Sequence, residues 1–360
     1  MPKTAFAGIL AAIAIAIASL AATAADSVWR DVLDTPAAKG PLASRALLNG
    51  LASAGSRLVA VGQRGQVLQS NDAGKSWQQA DVPVSSDLVA VSFANDSSGW
   101  AVGHDGVVLR TTNAGATWVK QLDGHGAGAA MVDYYTREAA GVFANDPKRG
   151  AAYLEEAKRF AAQGAENPLL DVWFENDKSG FVVGAFGLIL RTNDGGASWE
   201  PWLHATDNPK ALHLYAVRAV GADVWIAGEQ GLLLKLDPQA KKFNAVELPY
   251  KGTLFGVVGN ERVVLVHGLR GTVLRSTDGG RSWRPVDTGL QVGLTASAIE
   301  ADGRIVIVSQ AGHILVSRDD GASFKPVRVE RPIPAAAVLA VARDAAVVAG
   351  PRGVQTQPLQ

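Results

Sequence analysis

Residues 276–283 read STDGGRSW, and variants of the phrase stand at 70–77 (SNDAGKSW), 192–199 (TNDGGASW) and 317–324 (SRDDGASF). Ser, Thr and Asp side chains fold back onto local amides and Gly lets the chain close, so each phrase reads as a turn. A turn that returns at even spacing points to a repeat architecture. A second unit, G-x-x-G followed by apolar residues, sets the period. It occurs at Gly62/Gly65, Gly103/Gly106, Gly184/Gly187, Gly228/Gly231, Gly268/Gly271 and Gly350/Gly353. Ser309/Gly312 is a seventh copy with its first Gly changed. The steps between copies are 41, 81, 44, 40, 41 and 41 residues.

Before each unit stands a run such as LVAV, WAV or VWIA, and after it QVLQS, VVLRT or TVLRS. Short β-branched and aliphatic runs of this kind are buried strands. Each unit therefore reads strand, strand, G-x-x-G hairpin, strand, Asp turn, aromatic strand. Four strands repeated every 41 residues or so predict an all-β fold, a seven-bladed β-propeller with four-stranded blades. The aromatics that open the fourth strands are Trp77, Trp118, Trp199, Phe243, Trp283 and Phe324, one fewer than the G-x-x-G units. Trp29, in SVWRDVL, is left over, so residues 27–32 are expected to supply the missing strand and close the last blade. The copy at 235–243 (KLDPQAKKF) is the most degraded. It keeps Asp237 and Phe243, has lost the Gly and the hydroxyl, and reads as one residue longer.

The doubled step is an insertion over about 123–168, between the second and third blades. KRGAAYLEEAKRFAAQ predicts a helix over 149–163 with Tyr153, Ala157 and Phe160 on one face. AAMVDYYTREAAGVF predicts a second helix with Met131, Tyr135, Ala139 and Val142 aligned. The insertion follows a fourth strand and precedes a first strand, which places it on the side of the G-x-x-G loops. The Asp turns belong to the opposite face.

Composition narrows the function. Lys+Arg and Asp+Glu both number 34, which argues against a nucleic-acid binder. Residues 1–25 combine Lys3, an uncharged apolar run over 6–20 and Ala22-Thr23-Ala24, the pattern of a cleavable signal peptide. The expectation is a propeller over 26–360 in the periplasm or secreted. Cysteine is absent, which excludes thiol chemistry, thiolate metal sites and a thiol for lipid attachment. No histidine pair has metal-ligand spacing, and neither metal nor cofactor is expected.

The two residues inside each G-x-x-G differ from copy to copy, and loops on a rigid scaffold are where recognition sits. Arg64, Arg270 and Arg352 occupy the same place in three of them. These, with His104, Phe186 and the insertion's Tyr134 and Tyr135, are the expected partner-binding residues, because Arg and aromatics anchor interfaces. Asp72, Asn113, Asp194, Asp278 and Asp319 are spread around the repeat and cannot converge on a substrate. They are expected to tie turns.

The phrase S/T-x-D-x-G-x-S/T-W resembles the Asp-box (BNR repeat) of sialidases and related repeat proteins. The longer units, WAVGHDGVVLRTTNAGATW and FVVGAFGLILRTNDGGASW, resemble the repeat of the photosystem II stability/assembly factor family. That resemblance implies an exported seven-bladed propeller with no enzymatic activity, working as an assembly factor or scaffold. It implies an Arg-bearing face that holds a client protein. The expected partner is a membrane-associated protein or envelope complex such as an exporter, bound by a monomer. The alternative is a sialidase-like glycoside hydrolase, which needs an Arg cluster, a Tyr nucleophile with a Glu, and an Asp acid. Tyr215 and Glu229 come nearest to that set, and Arg331-Pro332-Ile333-Pro334 is not the expected Arg-Ile-Pro.

Overall fold

The computed structural model describes residues 30–300, 302–342 and 344–359. The signal-peptide reading of 1–25 and the placing of Trp29 lie outside them. The chain separates into Met1–Asp31 and Val32–Gln360, and the fold is that of the second unit.

Its strands form consecutive up-and-down antiparallel sheets. The first holds β1–β4 (Leu48–Ala54, Arg57–Gly62, Val67–Ser70, Gln78–Gln79) and the second β5–β8 (Leu88–Phe93, Gly99–Gly103, Val108–Thr111, Val119–Leu122). The third holds β9–β12 (Leu169–Phe174, Gly180–Gly184, Ile189–Thr192, Glu200–Pro201) and the fourth β13–β16 (Leu214–Val220, Asp223–Gly228, Leu233–Asp237, Lys242–Ala245). The fifth holds β17–β20 (Leu254–Asn260, Val263–Gly268, Val273–Ser276, Arg284–Val286) and the sixth β21–β24 (Leu294–Ile299, Ile305–Ser309, Ile314–Ser317, Lys325–Val327). The last has three strands among the described residues, β25–β27 (Ala337–Ala342, Ala345–Gly350, Gly353–Pro358). The first strand of each sheet touches the first strand of the next, and β25 touches β1. Aliphatic side chains of neighbouring sheets pack between them, as Val59, Val61, Val91 and Leu109 do between the first two.

Residues 27–32 were expected to form a closing strand. The described part departs from this: Arg30 and Asp31 are not in a strand, and Val32–Asp34 is a 3-10 turn. The Val32 carbonyl accepts from Ser85 N and Leu33 packs with Val59 and Val82, so this segment runs along the first sheet. The joint between last and first sheets is a small apolar cluster that includes Ala43, Leu48, Ala60, Leu68, Ala337 and Ala349.

One contact recurs at the start of nearly every sheet. Leu48, Leu88, Leu169, Leu214 and Leu254 are fully buried and face the first Gly of their G-x-x-G across a register shift. A Cβ on that Gly would lie 2.1 Å from Leu47 O at Gly62, 2.0 Å from Asp87 O at Gly103 and 2.1 Å from Thr253 O at Gly268. The next residue donates to the same carbonyl: Gln63 N to Leu47 O (3.1 Å), His104 N to Asp87 O (2.8 Å), Leu269 N to Thr253 O (3.0 Å). In the sixth sheet Ser309 takes the place of Gly and turns its Oγ onto His313 N (3.0 Å).

The Asp turns are tied as one unit each. Ser276 Oγ donates to Asp278 Oδ1 (2.8 Å) and accepts from Gly280 N (2.9 Å). Asp278 Oδ1 accepts from Ser282 N (2.9 Å), and Ser282 Oγ donates to Asp278 Oδ2 (2.6 Å). Asp72, Asp194 and Asp319 repeat the pattern, and Asn113 reproduces it with Thr111 and Thr117. Hydrogen bonds from Ser76 and Ser282 hold Asp72 and Asp278 well below the usual carboxylate range, and those from Ser323 bring Asp319 down to about 2.

The turns of Asp72, Asn113, Asp194, Asp278 and Asp319 also reach the preceding sheet. A Cβ on Gly115 would meet Val59 at 3.1 Å, on Gly280 the Trp225 ring at 2.4 Å, on Gly321 Leu265 at 2.3 Å, and on Gly74 Val347 at 2.8 Å. The preceding sheet donates back to a turn carbonyl: Gln69 Nε2 to Gly115 O (2.7 Å), Lys235 Nζ to Gly279 O (3.2 Å), Arg275 Nε to Asp320 O (2.7 Å). Trp100 Nε1 does the same to Gly195 O (3.3 Å).

The insertion forms α1 (Gly124–Arg137) and α2 (Pro147–Gln163), capped by Asp123 and Asp146, which accept from Gly126 N and Arg149 N. Ala157 and Phe160 are buried and Tyr153 partly so. The expected face through Ala139 and Val142 does not form: both are exposed, because α1 gives way to a 3-10 turn at Glu138–Ala140.

Gly268→Ala forces a Cβ onto a backbone carbonyl and should destabilise the chain by about 1–3 kcal/mol. Gly40→Ala, with nothing within 4 Å of the new Cβ, should be within about 0.5 kcal/mol of wild type in the same urea titration. The Asp319 carboxyl titrates lower folded than unfolded, so its stabilisation is present above the ordinary value of 3.8 and is lost as pH falls through about 2. Asp319→Asn should flatten the fall of the thermal midpoint across that acid window.

Candidate functional site

The G-x-x-G side carries the exposed, variable residues. Arg64, Asp105, Phe186, Gln230 and Arg270 all have left-handed backbones, with φ of 53°, 57°, 54°, 54° and 57°. Each is followed by a Gly of positive φ, so the pair forms a tight primed turn. Such turns favour Asn, Asp or Gly at both central positions. Arg and Phe at the first are uncommon, and non-Gly residues held there persist where the surroundings impose it. Arg64 N is fixed by Asp87 Oδ1 (2.7 Å) and Phe186 N by His213 Nδ1 (3.2 Å).

The side chains of Arg64, Arg270 and Arg352 are exposed, and among the described residues no carboxylate lies within ion-pair distance of them. Arg352 differs in setting, since Pro351-Arg352 is a two-residue hairpin between Gly350 and Gly353, which pair. His104 is exposed. Phe186 and Leu269, 46% and 38% exposed, are the large apolar groups of the loop tips. From Phe186 an aromatic arc runs through His213 (4.8 Å between rings) and Tyr215 (6.3 Å) to Phe255 (5.5 Å). Burial and then the Glu229 charge push the Tyr215 hydroxyl up.

The insertion begins beside one of these loops: a Cβ on Gly106 would meet Gly124 Cα at 2.7 Å. Tyr135, expected as a surface anchor, is fully buried. Its Oη contacts His204 Nδ1 (3.2 Å), and Tyr134, Phe143 and Tyr153 complete an aromatic cage around that imidazole. Arg149 donates to the His204 carbonyl (2.9 Å). Tyr135 therefore fastens the hairpin to the third sheet, and Tyr134 stands half-buried beside it. Burial, then Arg149, lowers His204 to about 4.

The first strands of all the sheets line one cavity of about 620 Å³. Its polar groups escaped the sequence reading. Asp171 is buried, paired with Arg218 Nη1, and accepts from Val217 N (2.8 Å). Burial pushes its carboxyl up against the pull of Arg218. His267 is fully buried between Leu294 O (3.0 Å) and Ser297 Oγ (2.8 Å). A signal was present: LLDVWF and VVLVHG each carry one ionisable residue in an otherwise apolar strand. The Asp-turn carboxylates, by contrast, turn inward on their own loops. Among the described residues no cluster of His, Cys, Asp and Glu could hold a metal ion, and no helix is long and apolar enough to cross a membrane.

Burial lowers His267 to about 4, against an ordinary 6.5. The unfolded chain takes up protons below 6.5 while the folded imidazole resists until about 4. Stability should be full above 6.5, fall by at most about 1.4 kcal/mol per pH unit towards 4, and level off. Chemical denaturation of His267→Asn should show a shallower slope across that interval.

A family profile described as "Photosynthesis system II assembly factor YCF48" matches residues 53–163 and 151–286. Photosystem II assembly lipoprotein Ycf48 of a Synechococcus strain is 28% identical over 159 residues, 43% of this chain and 47% of that protein. The match thus spans about half the length of that relative. Among solved structures, "YCF48 bound to D1 peptide" superposes with a TM-score of 0.63 at 16% identity, covering 91% of this chain and 99% of that one. A GH74 enzyme of Niastella koreensis has a TM-score of 0.58 at 13% identity, covering 87% and 52%. At such identities both likenesses speak for the propeller-like fold alone.

Proposed function

The chain belongs to the photosynthesis system II assembly factor YCF48 family, and on that premise we propose that it is a non-catalytic assembly factor or scaffold that holds a client polypeptide. The seven sheets are its blades, and the contact between β25 and β1 supports a closed ring. The client binds on the G-x-x-G side, across Arg64, Arg270 and Arg352, with His104, Phe186 and Tyr134 around them. The observation that carries this reading is the set of left-handed loop tips. They present Arg64, Phe186 and Arg270 to solvent at a conformational cost that packing does not require of exposed residues. Unpaired guanidiniums suit the carboxylates or carbonyls of a peptide.

The protein is exported, as the apolar run at 6–20 suggests, and works as a monomer in the periplasm or outside the cell. The relative named above is a lipoprotein that assembles photosystem II, and a YCF48 structure holds a D1 peptide. By analogy the client here is membrane-associated, part of an envelope complex such as an exporter. The insertion supports the rim, with its helices locked on the third sheet by Tyr135.

A glycoside hydrolase is disfavoured. Such an enzyme needs two carboxyl groups about 5–10 Å apart across a sugar. Asp171, the carboxylate lining the central cavity, is engaged by Arg218 and Val217 N. Tyr215 is packed on Phe255.

Pull-down from the envelope fraction should recover the client with wild-type protein. Arg64→Glu combined with Arg270→Glu should lower recovery by about tenfold or more. Equal recovery by a folded double variant removes the client from this rim. Turnover of sialyl or glucosyl reporter substrates, lost in Tyr215→Phe, would favour the enzyme instead.

A further inference from the structure

The degraded phrase at 236–243 breaks a pattern that the other Asp turns keep. In the first, second, third, fifth and sixth sheets the Asp turn inserts against the sheet before it. It covers the residue three before the first Gly of that sheet's G-x-x-G: Val347, Val59, Trp100, Trp225 and Leu265. In the fourth sheet the strands stay paired through Asp237↔Lys242, and Asp237 Oδ1 accepts from Gln239 N (2.9 Å) and Ala240 N (3.0 Å). The result is a short hairpin whose Pro238 and Lys241 edge the third sheet without a glycine inserted against it. Phe181, the equivalent residue of the third sheet, receives no turn and is instead buried against the Trp202 and Phe243 rings, 5.2 and 5.3 Å away.

The space so left is a cleft of about 370 Å³ lined by Trp173, Phe181, Trp202, Val224 and Leu236, with Arg191 among them. Arg191 occupies the third-strand place from which Gln69, Lys235 and Arg275 donate to a turn carbonyl. It lies over the Trp202 ring at 4.8 Å, and among the described residues it has no hydrogen-bond acceptor or carboxylate partner. Glu175 and Lys241 also line the cleft, and at the equivalent place in the other sheets the donor meets a neutral carbonyl.

We propose that this cleft binds, in trans, a glycine-bearing turn of another polypeptide that presents a carbonyl oxygen to Arg191. The other sheets state the chemistry of the occupant: a tight turn without a Cβ at its tip, apolar contact below it, and a carbonyl facing a donor. The cleft lies on the Asp-turn side, so the inference is independent of the rim proposed above.

The test uses the full chain and a fluorescein-labelled octapeptide, STDGGRSW, followed by anisotropy. Binding should be saturable, weakened about tenfold by Arg191→Gln, and lost in a chimera whose residues 236–243 are replaced by STDGGRSW. The chimera should also melt at a higher temperature, because its own turn now fills the space. Absence of saturable binding into the millimolar range, or equal binding by a scrambled peptide, would overturn the proposal. So would undiminished binding by folded Arg191→Gln, which decides the matter if the chimera fails to fold. Displacement by benzoate, with benzoate itself binding in an Arg191-dependent way, would make the cleft a small-anion site.

Discussion

A carbonyl oxygen pressed against a glycine sets the geometry of every sheet but the sixth, where Ser309 stands in its place. The residue before the first strand turns its C=O toward the first Gly of the G-x-x-G loop, and the residue after that Gly donates to it. Any side chain on that Gly would push the loop off the strand. The contact fixes where the loop begins, what register the first two strands take, and how the left-handed tip is aimed. The residues inside the loop differ from copy to copy while the main-chain contact that frames it is kept. A recognition surface of interchangeable side chains on an invariant backbone follows from this arrangement.

Much of this was legible in the sequence because it depends on local chemistry. Gly at a close approach, and Ser, Asp and Gly in a self-bonded turn, leave the same residues wherever the geometry recurs. The helical insertion was legible from its composition and its break in the period. The Leu that opens most of the inner strands was also visible, 14 or 15 residues before its Gly in Leu48, Leu88 and Leu169. Its role appears only with the register shift.

What was not legible depends on residues far apart in the chain. Tyr135 reads as an amphipathic-helix aromatic free to meet a partner. Its burial is decided by His204, 69 residues on, which no periodicity reports. Asp171 and Arg218 belong to different sheets and pair only once both line the central cavity. The strand expected at 27–32 rested on counting aromatics, and counting does not show where Val32 goes. Ser85 N and the pocket for Leu33 draw it along the first sheet.

Every joint between successive sheets is reinforced by a covalent connection except the one between the last sheet and the first. That joint combines alanine methyls, Ala43, Ala60, Ala337 and Ala349, with Leu48 and Leu68, and Leu51, Trp77 and Val354 pack against them. Small groups remove little apolar area from water. Among the described residues the chain thus has a joint without a covalent backing where β25 meets β1. Heat, force or a protease should part it there first, and its lifetime should be governed by that seam more than by the number of strands it contains.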